Sequence, residues 1–532
     1  MRQLAHRFLE RQGMTTVFGN PGSNELPFLA QLPSSFRYVL GLHEGAVLGM
    51  ADGFAQVTGR PVLVNLHAAS GSGNAMGALT NAVAARTPLV VVAGQQVRSA
   101  IGVEANLANV DATSLMKPLV GWAGEPATAT DVPRALAQAT FEAELQRRPT
   151  YLSVPYDDWD APADENAAAV LDRRVARAAM PSGEQAEWLV ERVRTATSPV
   201  LVLGGDIDTA GLFGAAVGLA ERLGGPVWAA PSQFRLPFPN RHPLFRGVLP
   251  AGIRPVSEAF EGHDLVLVLG APVFRYHEHL PGSYLPAGTT LLQVTEDAAA
   301  AARAPMGEAL VADPGAVIAL LTEALAEQPG QPRQPRQPGQ AGSYQPVPEP
   351  ATAPEAATHP EQVFAALRDV MPAETSYVVE STSTNAAWWR QMDLRHPGSY
   401  FFPAAGGLGF GIPAAVGIAL GRPDRPVVGV IGDGSANYGI TALWTAAQLR
   451  IPVTFVLLRN GTYGALRWFA GLLGTPDVPG LDVPGIDFTR IAEGYGVPAR
   501  HVAGAEELRA ALAEPVDGPR LLQIDTALTT PS

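Results

Sequence analysis

The chain has 532 residues, 47% of them hydrophobic and 16% charged, with a formal net charge of −13 and no cysteine. At roughly 150 residues per domain this length suggests about three domains, and the composition supports large buried cores and excludes wholesale disorder. The acidic balance argues against nucleic acid or anionic lipid as a partner, and the lack of cysteine excludes disulfides, thiolate nucleophiles and Cys-ligated metals.

The first residues, MRQLAHRFLERQG, read as a short amphipathic helix without the apolar core of a signal peptide. No apolar run is long enough to cross a bilayer, so a soluble cytoplasmic protein with no membrane partner is expected. Short apolar runs then alternate with helical patterns. They are PVLVNLH (61–67), PLVVVAG (88–94), PVLVLGG (199–205), DLVLVLG (264–270), TTLLQVT (289–295), PVVGVIG (426–432) and PVTFVLL (452–458). Runs rich in Val, Ile and Leu without polar alternation predict strands buried on both faces, as in parallel sheets covered by helices. The fold class is α/β, with three doubly wound parallel-sheet domains.

Two breaks divide the chain. YLSVPYDDWDAPADENAA (151–168) ends a strand and runs into a polar connector. The stretch 327–361 is rich in Pro, Gln and Gly and predicts an extended linker, its Q-P-R/G tandem being low complexity and not a structural repeat. The expected division is 1–170, 180–326, a linker over 327–359, and 360–532.

The densest local signal is VVGVIGDGSANYGITALWTAAQLRIPVTFVLLRNGTYGAL (427–466). VVGVI reads as a strand, Gly432-Asp433-Gly434 as a tight turn at its carboxyl end, 438–449 as helical, and VTFVLL as the next strand, closed by Asn460-Gly461. Asp433 and Asn460 stand 27 residues apart, one β-α-β unit. Both therefore fall at carboxyl ends of parallel strands, where open α/β sheets place ligands. An Asp carboxylate, an Asn amide oxygen and the carbonyl of Thr462 are hard ligands for Mg2+ or Ca2+, and two diphosphate oxygens and a water would complete six-coordination. The glycine turn leaves N–H groups open at a helix N-terminus, which suits phosphate. Either dipeptide alone is an ordinary turn former; together, at this spacing, they match the thiamine diphosphate signature.

With that motif in place, GNPGSNELPF (19–28), HEGAVLGMADGFAQVTGRP (43–61), NLHAASGSGNAMGAL (65–79), APVFRYHEH (271–279), AAGGLGFGIPAAVGIALG (404–421) and RNGTYGALRWFAG (459–471) become legible. The chain resembles the benzoylformate decarboxylase family of thiamine diphosphate-dependent 2-oxo acid decarboxylases over nearly its whole length, the linker excepted. The resemblance implies a pyrimidine-binding first domain, a central domain and a diphosphate-binding third domain. It also implies a homotetramer with sites between subunits. The expected activity is non-oxidative decarboxylation of a small 2-oxo acid, benzoylformate, within aromatic catabolism of the mandelate type, with carboligation as a side reaction.

Residue by residue, the resemblance assigns roles that the local pattern alone would not. Glu44, by itself an acid in a first helical turn, is expected to hydrogen-bond N1′ of the cofactor's aminopyrimidine. His67 and His277 are expected to transfer protons near neutral pH, with His279 as a surface neighbour. Ser23, by pattern a helix cap, is expected to bind the substrate carboxylate. Gly406 should offer its carbonyl to the 4′-amino group, and Leu408, between Gly407 and Gly409, should support the bent cofactor from beneath. Gly432, Gly434, Ser435 and Tyr463 complete the expected cofactor contacts. Leu107, Thr382, Phe402, Ala465, Leu466 and Phe469 should line an apolar substrate pocket, with small Ala465 opposite Phe469 leaving room for a ring. The sequence departs from the family pattern at Asn106 and Pro403, beside that pocket.

Rival readings differ at named residues. Pyruvate-type enzymes usually carry an adjacent histidine pair in the first domain, and this chain has no His-His. Acetolactate synthases usually bind FAD, for which GGDIDTAG (204–211) is a poor dinucleotide fingerprint. No G-x-G-x-x-G opens a βαβ unit, which speaks against a Rossmann dehydrogenase. A non-catalytic binding protein on the same fold would be favoured by loss of Glu44, Asp433 or Asn460, and all three are present.

Overall fold

The computed structural model describes residues 1–103, 105–163, 165–326, 343–353 and 357–529. The linker expected over 327–359 falls largely on 327–342 and 354–356, outside the described residues; 343–353 carries neither helix nor strand. No helix among the described residues is long and apolar enough to cross a membrane.

The chain forms two compact units, Met1–Ala176 with Ala351–Ala386 and Phe402–Ser532, and Arg177–Pro350 with Ala387–Phe401. The first unit contains two parallel sheets. One is built from β1 (Thr16–Asn20), β2 (Arg37–Leu40), β3 (Val62–Leu66), β4 (Leu89–Gln95), β5 (Trp122–Gly124) and β6 (Thr150–Pro155), in the order β2-β1-β3-β4-β6-β5. The strands β3, β4 and β6 are buried at every residue, as expected for runs covered by helices on both faces. Chain order reverses between β1 and β3, which opens a crevice at their carboxyl ends. Arg2–Arg11 is helical and buries Leu4, Ala5, Phe8 and Leu9, the 3.6-residue stripe read in the sequence.

The second unit is a separate parallel sheet of β7 (Pro199–Leu203), β8 (Val227–Ala229), β9 (Phe245–Val248), β10 (Leu265–Leu269), β11 (Thr290–Thr295) and β12 (Glu308–Val311), ordered β12-β11-β10-β7-β8-β9. Leu201, Leu203, Leu267, Leu269 and Val294 form its core against the helices Phe213–Leu223 and Pro314–Ala326. A buried ion pair joins Arg235 and Asp208 at 2.8 Å, and the Arg235 guanidinium lies 4.3 Å from the ring centre of Phe401. A Cβ at Gly204, in GGDIDTAG, would overlap the carbonyl of Gly270, so the two strand ends meet without a gap there.

The other sheet of the first unit contains β13 (Ser376–Glu380), with β15 (Val427–Gly432), β16 (Val453–Arg459), β17 (Ala499–Val502) and β18 (Arg520–Asp525) following in the order β13-β15-β16-β18-β17; β14 (Tyr400–Phe401) belongs to the second unit. After β15 the expected glycine turn is already helix. Asp433–Gly439 is helical with Gly432 as its N-cap, and a second helix spans Ala442–Gln448, where the pattern predicts helix only over 438–449. Strand and helix meet at one N-cap residue, so the connection that sequence reads as a turn needs no residues of its own.

Both sheets of the first unit are joined by the helices Glu44–Thr58 and Gly411–Gly421. They cross on small residues. A Cβ at Gly417 would overlap the carbonyl of Met50, and one at Gly53 would overlap that of Ala414. The approach is therefore limited by main chain, and Glu44, at the start of one helix, is fixed relative to the segment that precedes the other. Gly417→Ala should destabilise the protein by about 1–3 kcal/mol, the usual cost of overpacking, read as an earlier urea midpoint at unchanged slope. An unchanged midpoint would show that the crossing has slack.

Candidate active site

The crevice between β1 and β3 gathers the acid and the histidine expected of the first domain. Glu44 opens its helix with the side chain buried, and its two oxygens accept from Asn20 Nδ2 at 3.2 Å and Asn74 Nδ2 at 3.0 Å. The surface-helix role that the local pattern allows is thus excluded. A Cβ at Gly71 would stand 3.2 Å from Glu44 Oε1 and 3.4 Å from His67 Cβ, so one glycine separates the two groups. His67 directly follows β3 and precedes the helix Ala68–Ala84, and its ring rests against Gly22, where a Cβ would overlap it. That contact brings the loop 21–25 to the histidine. Ser23 is exposed on this loop; its hydroxyl donates to Asn24 Oδ1 at 3.3 Å and caps no helix.

Sequence reasoning placed Glu25 in the loop 21–25, expected to line the pyrimidine side, and gave it no role of its own. Its carboxylate is buried and accepts His67 Nδ1 at 2.8 Å, with main-chain N–H groups of Gly22 and Gly94 at 2.8 Å and Ala68 at 3.3 Å. A carboxylate on Nδ1 fixes the ring's orientation and its tautomer. The available signal was an acid inside the quoted segment GNPGSNELPF, next to the serine that drew attention.

At the ends of β15 and β16, Asp433 and Asn460 come together as the spacing implies. Asp433 Oδ2 accepts the N–H groups of Asn460 at 2.9 Å and Gly461 at 2.6 Å, and Oδ1 that of Gly434 at 2.9 Å. Burial pushes the Asp433 carboxyl above its ordinary range, opposed by these N–H donors. Asn460 Oδ1 accepts Thr462 N–H at 3.0 Å, and the Thr462 carbonyl accepts Gly464 N–H at 3.0 Å; each oxygen keeps a second lone pair. Among the described residues no three His, Cys, Asp or Glu side chains gather as a metal set. A divalent ion held here has one protein carboxylate, and the rest of its shell must come from neutral oxygens and a bound anion, a donor set that fits a metal–diphosphate pair. Tyr463 covers Gly434, where a Cβ would lie 2.6 Å from the ring, and Ser435 is buried in the first turn of Asp433–Gly439.

The segment carrying Gly406 and Leu408 is held from both sides. Asn81, buried on the helix Ala68–Ala84, donates to the Gly407 carbonyl at 2.8 Å and accepts the N–H groups of Ala405 at 3.1 Å and Gly407 at 3.2 Å. Glu380, the last residue of β13, accepts those of Gly409 at 2.8 Å, Phe410 at 3.1 Å and Gly411 at 2.8 Å. Gly406 and Gly409 have φ of +73° and +97°, which only glycine adopts freely. Leu408 is thus presented on a turn whose main chain is tied by two buried side chains. Neither Asn81 nor Glu380 was found from sequence. Glu380 left a signal, a lone acid closing the apolar run SYVVE; Asn81 left none.

Ala465, Leu466 and Phe469 share the helix Gly464–Leu472, with Ala465 and Phe469 one turn apart on one face. Gly464 packs on Ser383, which brings the turn Thr382–Thr384 to the start of that helix. Phe402 is half-buried, and Leu107 lies on an exposed turn after β4. His277 belongs to the second unit, where its N–H donates to the Ala251 carbonyl at 2.8 Å and its ring is exposed, as is that of His279.

One group of strand ends carries a buried glutamate beside a histidine and another an Asp–Asn pair at helix and turn N–H groups, the arrangement that the resemblance implies for a thiamine diphosphate enzyme. Comparison with known proteins agrees. The N-terminal, central and C-terminal domains of thiamine pyrophosphate enzymes match residues 1–115, 186–321 and 381–525. A benzoylformate decarboxylase of Pseudomonas aeruginosa is 58% identical, over 99% of this chain and 99% of its own. The solved thiamine diphosphate-dependent 4-hydroxybenzoylformate decarboxylase of Rhodococcus jostii is 56% identical with a TM-score of 0.95, covering 100% of this chain and 99% of that one. The benzoylformate decarboxylase of Polynucleobacter necessarius is 36% identical with a TM-score of 0.93, covering 99% of each chain. The chain belongs to the family of thiamine diphosphate-dependent 2-oxo acid decarboxylases.

Burial raises the Glu380 carboxyl to about 7, against the pull of its three N–H donors. A carboxyl whose folded value exceeds its unfolded one adds stability that is complete below the unfolded value of 4.5 and is lost as pH rises through about 7. Glu380→Gln should therefore flatten the fall in unfolding temperature between pH 5 and pH 8. Parallel pH profiles for the two proteins would show that Glu380 does not titrate in this window.

Proposed function

We propose that this chain decarboxylates benzoylformate to benzaldehyde and CO2. The observation that carries the reading is the full-length identity of 58% to a benzoylformate decarboxylase. The apolar face of Ala465, Leu466 and Phe469, with exposed Leu107 on the first domain, supports an aryl substrate. Bound thiamine diphosphate supplies the electron sink that no side chain can provide. The chain's own residues bind, orient and move protons around it. Glu44, fixed by Asn20 and Asn74, would hydrogen-bond N1′ of the aminopyrimidine. Gly406 would offer its carbonyl to the 4′-amino group and Leu408 would support the cofactor, from a turn that Asn81 and Glu380 immobilise. The Ser23 hydroxyl, exposed on its loop, binds the substrate carboxylate. His67, oriented by Glu25, exchanges a proton at Nε2, and His277 is the second acid–base group. An apolar wall disfavours the charged carboxylate relative to the less charged transition state.

The cation is Mg2+ or Ca2+, held by Asp433, Asn460 and the Thr462 carbonyl; Gly432, Gly434, Ser435 and Tyr463 surround the diphosphate. The working division of the chain is pyrimidine binding in 1–170, a central domain in 180–326 and diphosphate binding in 360–532. The active assembly is a homotetramer with sites between subunits, cytoplasmic, within aromatic catabolism of the mandelate type, with carboligation as a side activity. A ring bearing a 4-hydroxyl is the second reading, favoured by the 56%-identical relative that acts on 4-hydroxybenzoylformate and by the exposed Asn106 beside Leu107.

Asp433→Ala should abolish both metal-dependent cofactor binding and turnover, measured by titration of the stripped protein with thiamine diphosphate at fixed Mg2+. Full turnover in a metal-free, cofactor-free sample would overturn the reading. The substrate assignment is tested by a panel of 2-oxo acids. A buried phenyl gains roughly 2–3 kcal/mol over a methyl at about 25 cal/mol per Å2, which corresponds to roughly 30- to 150-fold in kcat/KM for benzoylformate over pyruvate. Ala465→Ile should crowd the ring and shift preference towards short aliphatic acids. Equal kcat/KM for the two acids in the unmodified chain would remove the aromatic assignment and leave the cofactor chemistry standing.

A further inference from the structure

Leu107 is a non-glycine residue in the left-handed region, with φ of 67°, and its apolar side chain is 38% exposed. A leucine gains nothing local from that backbone and loses by steric crowding, so surrounding bonds must impose it. Those bonds come from two consecutive glutamines at the end of β4. Gln95, fully buried, donates from Nε2 to the Asn109 carbonyl at 2.6 Å and accepts the Asn109 N–H on Oε1 at 2.9 Å. Gln96 Nε2 donates to the Asn106 carbonyl at 2.9 Å. The turn between them closes on itself through Ala108 N–H to the Ala105 carbonyl at 2.9 Å. Leu107 therefore sits on a short arch whose two feet are each tied to one glutamine.

The anchor is itself rigid. Gln95 Nε2 also donates to Glu125 Oε2 at 3.3 Å, and that oxygen accepts the Ser153 hydroxyl at 2.9 Å. Buried Gln95 and buried Ser153 thus meet at Glu125, an exposed acid just after β5, which ties the end of β4 to β6. Arg98 fixes the start of the same connection by two bonds to Asp158, at 3.0 and 2.6 Å, and one to the Pro126 carbonyl at 2.7 Å. Such bonding exceeds what a loop needs to close; it positions one exposed apolar side chain at a strained angle.

We infer that Gln95 and Gln96 are positioning residues for substrate selection. They hold Leu107 where it forms one wall of the ring pocket, and selectivity for an aryl 2-oxo acid over an aliphatic one depends on both. The inference rests on the aromatic reading above and adds residues that touch neither substrate nor cofactor. Methionine at either position keeps length and volume and removes the hydrogen bonds. In Gln95→Met and in Gln96→Met, the ratio of kcat/KM for benzoylformate to that for pyruvate should fall by about five- to tenfold, the range to which loss of one or two main-chain hydrogen bonds converts. The fall should come from a raised KM for benzoylformate, with KM for pyruvate and the dissociation constant of thiamine diphosphate unchanged. A merely structural loss would lower activity on both acids together and weaken the cofactor. Gln96, half-buried, provides the measurement if the buried Gln95 variant does not fold. A chain that prefers benzoylformate and keeps its full preference in the folded variants overturns this inference alone; a chain that treats both acids alike before any substitution removes the aromatic reading instead.

Discussion

Four carboxylates in the first unit, Glu25, Glu44, Glu380 and Asp433, lie at strand ends or helix starts with 7% exposure or less. An ionised carboxylate removed from water costs several kcal/mol unless donors replace the lost hydration. Here the donors are mostly main-chain N–H groups. Glu25, Glu380 and Asp433 each accept three, and Glu44 accepts two side-chain amides. A side chain that satisfies three N–H groups fixes three points of backbone at once, so each acid organises the loop around it. The loop 21–25, the turn 406–411 and the turn 460–462 all take their shape this way.

That arrangement explains why the site can be built on loops and still be rigid. Catalysis needs groups held within a fraction of an ångström, and loops tied only by their own turns do not achieve it. Asn81 and Glu380 act from the two halves of the first unit on one turn, so the helix Ala68–Ala84 takes part in shaping the segment that carries Leu408. The close crossing of Glu44–Thr58 and Gly411–Gly421 has the same consequence on a larger scale, because glycines at the contact let main chain meet main chain. Glu44 and the turn 406–411 are then parts of one packed body.

Much of this was legible in the chain. The apolar runs gave seven strands within a residue or two, because strands buried on both faces leave no polar alternation to blur them. The pair Asp433 and Asn460 was readable because a β-α-β unit returns two strand ends to the same edge after a nearly fixed length of chain. Glu44, His67 and Ser23 were singled out only through resemblance; each alone fits a bland role in a helix turn, a strand end or a cap. The start of the helix at Asp433 was misread because a Gly-Asp-Gly triplet reads locally as a turn, and only the packed structure shows Gly432 as an N-cap.

The sequence by itself determined the class of fold, the cofactor motif and the absence of any thiol chemistry, all of which follow from local composition, periodicity and spacing. Tertiary structure decided which side chains hold the site in place. Glu25 finds His67 across 42 residues of chain, Glu380 finds Gly411 across 31, and Asn81 finds Gly407 across 326. No periodicity encodes those separations. They exist because parallel strands bring distant carboxyl ends to one edge, and because a buried charge there must be met by whichever donors the fold has placed beside it.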